Sequence, residues 1–280
     1  MASDMEMAQQ PVVKVWELKN IGEAISGPLS EPLPKTICDG LMIGLLESGI
    51  VEASYRRETH ILGRGTLILG QPDETVSFMP SGQTSGPVRT CLRCPPEVVQ
   101  AASDEIADRS TAIPFFSNFI TLDPQLVALF LMFQRTLDSP ASLLERSSRF
   151  QDVLACIISR HASLPQTRRK LQAEPYAVRR VRQYLHDNYA NNVTLDELAR
   201  HVGLSGFHLN RVFRTEVGIP PHAYQTQVRV TAAKQLLAKG WSIDQAATSV
   251  GFFDQSHFTN HLRRLFGYTP RVYQKSILND

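Results

Sequence analysis

Two segments of the sequence carry side chains that can hydrogen-bond the edges of nucleic-acid bases. Asn210 and Arg211 lie in the first segment, and Gln255 and Asn260 lie in the second. An arginine can bind guanine O6 and N7 with two hydrogen bonds, and an asparagine or glutamine can bind adenine in the same bidentate manner. These residue types therefore support base recognition if a helix presents them on one face.

A helix that docks into the major groove reads bases with the outward residues of its N-terminal half. Arg211 is the strongest candidate, and Phe207 would either contact a thymine methyl group or pack in the core. The second segment offers shorter, neutral side chains, so its readout is expected to be weaker or partly mediated by water. The predicted base-reading residues are Gly206, Phe207, Asn210 and Arg211 in the first segment and Gln255, Ser256, Thr259 and Asn260 in the second.

Phosphate contacts fix the register of a protein on DNA without reading its sequence. Arginines and the hydroxyl groups at helix starts suit this role, although each of them would look the same if it were merely solvated. The predicted phosphate-binding residues are Thr194, Arg214, Ser242, Arg263 and Arg264. The charge distribution agrees, because residues 175–280 hold 13 lysines and arginines against 7 acidic residues, which gives that segment +6 and leaves −4 for the first 174 residues.

Other reactive side chains do not combine into a catalytic or metal-binding set. His60 is the only histidine before residue 150, and one imidazole does not make a metal site. Cys91 and Cys94 have the spacing of a redox or zinc pair, but residues three apart in a strand face opposite sides. No phosphate loop, nucleophile elbow or carboxylate pair is evident, so the sequence predicts no enzyme activity, no metal and no cofactor.

The two base-reading segments lie within an internal repeat, in which residues 194–204 and 242–252 align at an offset of 48 residues. Each copy has the residues of a capping box, a small alanine in the helix that follows, and a glycine where the chain must turn. These residues are Thr194, Glu197, Ala199 and Gly203 in the first copy and Ser242, Gln245, Ala247 and Gly251 in the second. A second amphipathic helix follows in each copy, over 206–216 and 254–266, so the repeat predicts two helix-turn-helix units. A helix over 224–239 separates them and can place two recognition helices in neighbouring major grooves, ~34 Å apart.

The N-terminal part has a different pattern. Short apolar and β-branched runs at 41–46, 66–69 and 88–92 are bounded by turn residues, which predicts a small β-sandwich or barrel. From Asp123 onward apolar residues recur every three or four positions, which predicts a helical hairpin over about 123–160. This hairpin either packs only on the sheet or also forms a dimer interface.

These patterns predict an α+β chain with an N-terminal domain at 1–164, a linker at 165–175 and a DNA-binding domain at 176–280. A length of 280 residues suffices for two ordinary domains. The sequence lacks a long apolar run, a secretion signal and a regular cysteine framework, so it predicts a cytoplasmic protein that does not associate with a membrane.

The residues from Ala246 to Pro270, AATSVGFFDQSHFTNHLRRLFGYTP, resemble the second helix-turn-helix unit of the AraC/XylS family of bacterial regulators. The resemblance covers roughly residues 176–276. It implies double-stranded DNA as partner, a cupin-like N-terminal domain for effector binding and dimerisation, a homodimer, and activation by contact with RNA polymerase. Members of this family often have a basic residue where Asn260 stands, which weakens the prediction of guanine reading by the second helix.

The role of the N-terminal domain is open between two hypotheses. In the first, a small-molecule effector binds in a β pocket lined by Ile43, Leu45, Ile68 and Phe78, and its binding changes how the DNA-binding units are presented. In the second, these residues are core, the domain only dimerises the chain, and abundance or a protein partner sets activity. A nonspecific architectural DNA binder is a third class, which two distinct recognition helices disfavour.

Overall fold

The computed structural model describes residues 13–81, 88–107, 111–139, 141–163 and 176–277. Within these ranges the N-terminal part forms two antiparallel sheets, with strand orders β1-β2-β9-β4-β7-β10 and β3-β8-β5-β6. The strands are β1 (Lys14–Leu18), β2 (Gly22–Pro28), β3 (Leu33–Ile37), β4 (Leu41–Leu46), β5 (Ile50–Tyr55), β6 (Glu58–Leu62), β7 (Leu67–Gly70), β8 (Thr75–Ser81), β9 (Val88–Cys94) and β10 (Ile120–Thr121).

The helices fall into two groups. The N-terminal group is α1 (Pro96–Ala107), α2 (Pro124–Arg135) and α3 (Leu143–His161). The C-terminal group is α4 (Tyr176–Asp187), α5 (Leu195–Val202), α6 (Gly206–Val217), α7 (Pro221–Ala238), α8 (Ile243–Ser249), α9 (Gln255–Phe266) and α10 (Pro270–Ile277). Among the described residues, no helix is long and apolar enough to cross a membrane.

The six-stranded sheet is covered on both faces, and strand β4 shows this most clearly. Leu41 and Ile43 belong to the cluster that the sheet forms with α2 and α3, whereas Met42 and Leu46 belong to the cluster between the two sheets. All six residues of β4 are buried, which explains why this strand reads as a continuous apolar run.

The helical hairpin predicted from Asp123 is present as α2 and α3. The Asp123 carboxylate caps α2 by accepting hydrogen bonds from the amides of Gln125 and Leu126, at 3.0 and 3.4 Å. The same carboxylate binds Arg160 and His161 at the end of α3, at 2.8 and 3.0 Å. One side chain therefore fixes the start of one helix to the end of the other.

Among the described residues, the C-terminal helices α4 to α10 enclose two apolar clusters, and α7 contributes to both. Tyr224 belongs to the first cluster, with residues of α4, α5 and α6, and Val230 and Leu237 belong to the second, with residues of α8, α9 and α10. Val15 and Ile25 of the first sheet also lie in the second cluster. The β domain and the second helix-turn-helix unit thus share one core.

The α+β class, the strands at 41–46, 66–69 and 88–92 and the helical hairpin are confirmed. Helix α1 and the strand β10 were not predicted. The helix predicted from Tyr224 begins earlier, at Pro221, because proline is well suited to the first turn of a helix. The predicted linker at 165–175 lies outside the described residues, and the domain bounds stay predictions.

Candidate nucleic-acid interface

The first helix-turn-helix unit consists of α5, a turn at Gly203 and α6. Thr194 caps α5 by accepting a hydrogen bond from the Glu197 amide at 3.2 Å, and Gly203 ends it in the left-handed region with φ of 70°. The predicted return bond from the Glu197 carboxylate is not what the structure shows. That carboxylate accepts instead from the Tyr184 hydroxyl on α4, which lowers the pKa of Glu197 and holds α4 against α5.

The second unit consists of α8, a turn at Gly251 and α9. Ser242 and Gln245 form the complete capping box that the sequence predicts. Gly251 has φ of 90°, and a Cβ at this position would lie 2.5 Å from the carbonyl oxygen of Ala190. The turn therefore requires glycine for its backbone conformation and also for the close approach of the segment that enters the first unit.

Both recognition helices have a capping side chain that the sequence reasoning missed. Ser205 accepts from the His208 amide at 3.3 Å at the start of α6, and Asp254 accepts from the His257 amide at 2.7 Å at the start of α9. Serine and aspartate are preferred at this position, three residues before the amide that they cap. These residue types were the signal in the sequence that could have predicted both caps.

The inward faces of the two recognition helices consist of buried apolar side chains. Leu209 and Phe213 of α6 are fully buried, and so are Phe258 and Leu262 of α9. These contacts fix the rotation of each helix about its axis, which determines the side chains that face outward.

The outward face of α6 carries the first predicted base-reading set. Arg211 is exposed, and its Nη2 lies 3.4 Å from Nδ1 of His208. Asn210 and Gly206 are half-buried on the same helix, and the side chain of Phe207 lies outside the described part of the structure. The structure therefore leaves the Arg211 guanidinium accessible on α6.

The outward face of α9 carries the second set. Gln255, Ser256 and Asn260 are exposed, and Thr259 is half-buried. His257 and His261 lie beside them, with their Nε2 atoms 3.1 Å apart. Burial, together with the neighbouring His257, lowers the pKa of His261. The predicted base-reading set did not include these two histidines.

The predicted phosphate-binding residues are at the surface, but they differ in their contacts. The arginines Arg214, Arg263 and Arg264 and the hydroxyl residues Thr194 and Ser242 are all exposed. Both hydroxyl groups already accept a hydrogen bond from a helix amide. Arg263 binds the Glu31 carboxylate of the N-terminal domain at 3.1 Å.

Arg229 on α7 ties the two units together. Its guanidinium donates hydrogen bonds to the carbonyl oxygens of Tyr189 and Asn191, at 2.6 and 2.9 Å, and to that of Gly251 at 2.9 Å. Tyr189 and Asn191 precede α5, whereas Gly251 is the turn residue of the second unit. One side chain therefore connects the chain that enters the first unit with the turn of the second.

A polar cluster at the boundary between the domains holds the DNA-binding units against the β sheet. Buried Glu23 on β2 binds Lys234 of α7 at 2.6 Å, Arg93 of β9 at 3.2 Å and the Tyr268 hydroxyl at 3.0 Å. Burial and the charge of Glu23 raise the pKa of Tyr268 well above its ordinary value, so its hydroxyl stays protonated and donates a hydrogen bond to the carboxylate.

Further bonds extend this boundary to the first unit and to α7. Gln227 of α7 accepts a hydrogen bond from the Ile37 amide at 2.7 Å and donates one to the Lys35 carbonyl at 2.8 Å. Arg57 donates to the carbonyl oxygen of Thr215 near the end of α6 at 2.5 Å. Both helix-turn-helix units therefore contact the N-terminal domain.

Comparison with known proteins identifies the family. Residues 198–276 match a helix-turn-helix domain family, and residues 33–154 match the family of AraC-like ligand binding domains. The chain is 30% identical over 229 residues to the uncharacterized HTH-type transcriptional regulator YbfI of Bacillus subtilis, with 82% of each chain covered. The chain belongs to the AraC family of transcriptional regulators.

Two further comparisons concern a partial sequence relative and a solved structure. The virulence regulon transcriptional activator VirF of Yersinia enterocolitica is 37% identical over 92 residues, which are 32% of this chain and 34% of VirF. The crystal structure of ToxT from Vibrio cholerae has a TM-score of 0.55 and 10% identity, covering 97% of this chain and 99% of ToxT, and shows the same fold. As an AraC-family member the chain is a DNA-binding transcription regulator and not an enzyme.

The predicted effector pocket is only partly assembled as the sequence suggested. Ile68 and Phe78 line a cavity of about 30 Å³ between the two sheets, and Leu45 adds to its wall. Ile43 does not line it, because this side chain lies in the cluster between the sheet and the helices α2 and α3. The alternation of strand β4 places Gly44 at the cavity instead.

The four cysteines and His60 do not form a metal site in the described part of the chain. Cys91 lies between the two sheets and Cys94 lies on the helix side of the same sheet, as expected for residues three apart in a strand. His60 packs against the ring of Phe119. No group of three or more metal-binding side chains is present among the described residues.

Proposed function

We propose that this AraC-family regulator reads a specific DNA sequence through α6 and α9 and activates transcription in response to a small molecule bound by its N-terminal domain. The protein acts in the cytoplasm as a homodimer that pairs through α2 and α3 and contacts RNA polymerase. The observation that carries the proposal is the pair of helix-turn-helix units, joined by α7, with polar side chains on the outward faces of both recognition helices.

The contacts between the domains support the response to a ligand. Arg263, a predicted phosphate-binding residue on α9, binds Glu31, and Arg57 reaches the end of α6. A ligand that binds the N-terminal domain more tightly in one arrangement of these contacts than in another would shift the population of DNA-binding conformations.

A second candidate is a dimeric regulator that has no ligand and is controlled by abundance or by a protein partner. The observation that favours it is the small size of the cavity between the sheets, which at about 30 Å³ holds little more than one water molecule. Under this alternative, no small molecule changes the affinity for DNA.

The test is binding of the full chain, at fixed salt, to its own upstream DNA and to scrambled DNA of equal length. We expect wild type to prefer the upstream DNA, and Arg211→Ala to weaken this preference by about 1–3 kcal/mol at the affected bases, because a bidentate contact to guanine is lost. Arg214→Ala, on the same helix, is the matched control and should weaken binding to both DNAs alike. An equal loss on both DNAs for Arg211→Ala would contradict its role in base reading.

A further inference from the structure

The turn of the second helix-turn-helix unit is one residue longer than the turn of the first. The amides of Leu204 and Phe252 each donate a hydrogen bond of 3.0 Å to the carbonyl oxygen five residues earlier, so these two residues are equivalent. Leu204 is followed directly by Ser205, the cap of α6, whereas Phe253 separates Phe252 from Asp254, the cap of α9. Phe253 is therefore the residue that the second turn has in addition.

The ring of Phe253 remains in solvent. Phe253 is 87% exposed, and among the described residues no other large apolar residue is exposed to the same extent. A residue just before a helix cap often packs against the fourth residue of that helix, which in α9 is Phe258. Phe252 already covers Phe258, because the two ring centroids are 5.4 Å apart and both residues are buried. The usual packing role of this position is thus filled, and the ring of Phe253 takes no part in it.

Phe253 lies at the end of α9 that is proposed to enter the major groove. Gln255 and Ser256, in the first turn of the helix, are exposed and belong to the predicted base-reading set. Asp254 turns its carboxylate back to the His257 amide, at 2.7 Å. Because a recognition helix docks by its N-terminal end, a side chain one position before its cap is carried toward the DNA as well. The exposed ring is therefore continuous with the proposed DNA-reading face.

The chemistry of the ring determines which group of DNA it can bind. A phenyl ring has neither a charge nor a strong hydrogen-bonding group, so it does not suit phosphates or the polar edges of bases. The apolar group of the major groove is the 5-methyl group of thymine, which phenylalanine can contact. Counted from the two caps, the equivalent of Phe207 in the second unit is Ser256. Phe253 thus supplies an apolar ring that the predicted base-reading set of α9 lacks.

We propose that Phe253 contacts the 5-methyl group of a thymine in the major groove and contributes to the sequence preference of the second unit. The proposal rests on the reading of DNA by α9 under the proposed function, and it adds a residue from outside the helix to that reading. The contact removes apolar surface from water and releases no counterions. Its dependence on salt should therefore differ from that of an arginine bound to phosphate.

The test measures binding of the full chain to its upstream DNA at several salt concentrations. Phe253→Ala should weaken this binding at least about fivefold, because the ring no longer buries apolar surface on the DNA. The slope of the logarithm of affinity against the logarithm of salt concentration should stay that of wild type, since no ionic contact is lost. Ile61→Ala removes another highly exposed apolar side chain, on β6 of the N-terminal domain, and should bind like wild type.

Deoxyuridine in place of single thymidines locates the contact, because it removes only the 5-methyl group. We expect wild type to lose affinity at least about threefold at one or two positions, which is the worth of one buried methyl group. Phe253→Ala should lose nothing further at those positions, and Phe253→Leu should keep part of the effect. Phe207→Ala is the matched comparison and should keep the full effect there, because α6 docks on a different segment of the DNA.

Folding of Phe253→Ala is checked by thermal unfolding without DNA. We expect the midpoint of wild type, because a side chain so exposed contributes little to the core. The proposal is overturned if Phe253→Ala binds upstream DNA like wild type, as it would if a protein partner covered the ring. It is also overturned if the salt slope of Phe253→Ala falls, or if no thymidine replacement affects wild type more than Phe253→Ala.

The preference of wild type for upstream DNA over scrambled DNA separates this inference from the proposed function. A preference that persists unchanged in Phe253→Ala overturns the thymine contact and keeps the sequence-specific regulator. Equal binding of both DNAs by wild type overturns the proposed function. A deoxyuridine effect that disappears in Phe253→Ala keeps the contact even then.

Discussion

The ammonium nitrogen of Lys234 lies 2.6 Å from Oε2 of Glu23, and each of these two residues is only 6% exposed. Lys234 belongs to α7 and Glu23 belongs to β2, so this buried ion pair joins the DNA-binding units to the β sheet. Arg93 and Tyr268 also bind Glu23, and the ring of Phe266 lies 4.4 Å from the Lys234 nitrogen. The pair is therefore fully enclosed by polar and aromatic partners.

Lys234→Met should destabilise the chain by about 1–3 kcal/mol, because it leaves part of the charge of a buried carboxylate uncompensated. Urea unfolding at neutral pH measures the effect. Lys239→Met, at the exposed end of the same helix, is the matched control and should change the stability little. The double variant Glu23→Leu with Lys234→Met should lose less stability than the sum of the losses of the two single variants, because it leaves no unpaired buried charge. Equal stability of Lys234→Met and Lys239→Met would refute the importance of the pair.

The histidine pair on α9 predicts a loss of stability at acidic pH. The pKa of His261 is lowered below 6.5 by burial and by the neighbouring His257, with Arg264 acting in the same direction. The native state then binds fewer protons than the unfolded state, so the contribution of His261 to stability is present above 6.5 and is lost as the pH falls through its lowered pKa.

The thermal unfolding midpoint should fall as the pH is lowered from about 8 to about 5, and it should fall less steeply in His261→Gln than in wild type. His186 on α4 also has a pKa lowered by burial, so part of the decline should remain. His222→Gln, on the exposed face of α7, serves as the control. A slope in His261→Gln identical to that of wild type would show that the pair does not govern the acid response.

The two turn glycines offer a comparison between equivalent positions of the repeat. Gly203 and Gly251 have φ of 70° and 90°, so alanine is strained at both by about 1–2 kcal/mol. A Cβ at position 203 meets nothing within 4 Å, whereas one at 251 meets the Ala190 carbonyl oxygen at 2.5 Å. Gly251→Ala should therefore cost at least about 1 kcal/mol more than Gly203→Ala in denaturant unfolding. Equal losses would mean that the segment around Ala190 withdraws freely from this turn.

The proposed homodimer can be tested on α2. Met132 lies on the outer face of this helix and is 44% exposed, and Met79 on β8 is 51% exposed. If α2 and α3 pair with a second copy, Met132→Arg should place like charges at the interface and produce a monomer in sedimentation experiments. Met79→Arg should leave the oligomeric state as in wild type. A dimer that persists in both variants would locate the interface elsewhere.

The structure of the DNA-binding part could be predicted from residue patterns that span only a few positions. Ser242 with Gln245 and the glycines at 203 and 251 are signals within a few residues, and each produces the local structure expected of it. The partner of Glu197 escaped prediction because Tyr184 lies thirteen residues away on the preceding helix. Helix α1 was missed because only Val99 and Ser103 are buried in it, which gives almost no apolar period.

The contacts between segments that are distant in the chain could not be predicted from the sequence. Glu23 and Tyr268 are 245 positions apart, and no local pattern relates a buried carboxylate on a strand to a tyrosine after the last recognition helix. Ile43 was assigned to the pocket because strand β4 is buried on both faces, so its apolar run does not show which residues face the cavity.

The three carbonyl contacts of Arg229 have a thermodynamic consequence for DNA binding. They fix the orientation of one recognition helix relative to the other when the domain folds. The entropy lost in aligning the two helices is therefore lost during folding, and the second unit needs no separate search once the first has docked. A DNA site with both target segments at the matching separation gains the avidity of two units, whereas a site with altered separation must bend or twist, which costs free energy.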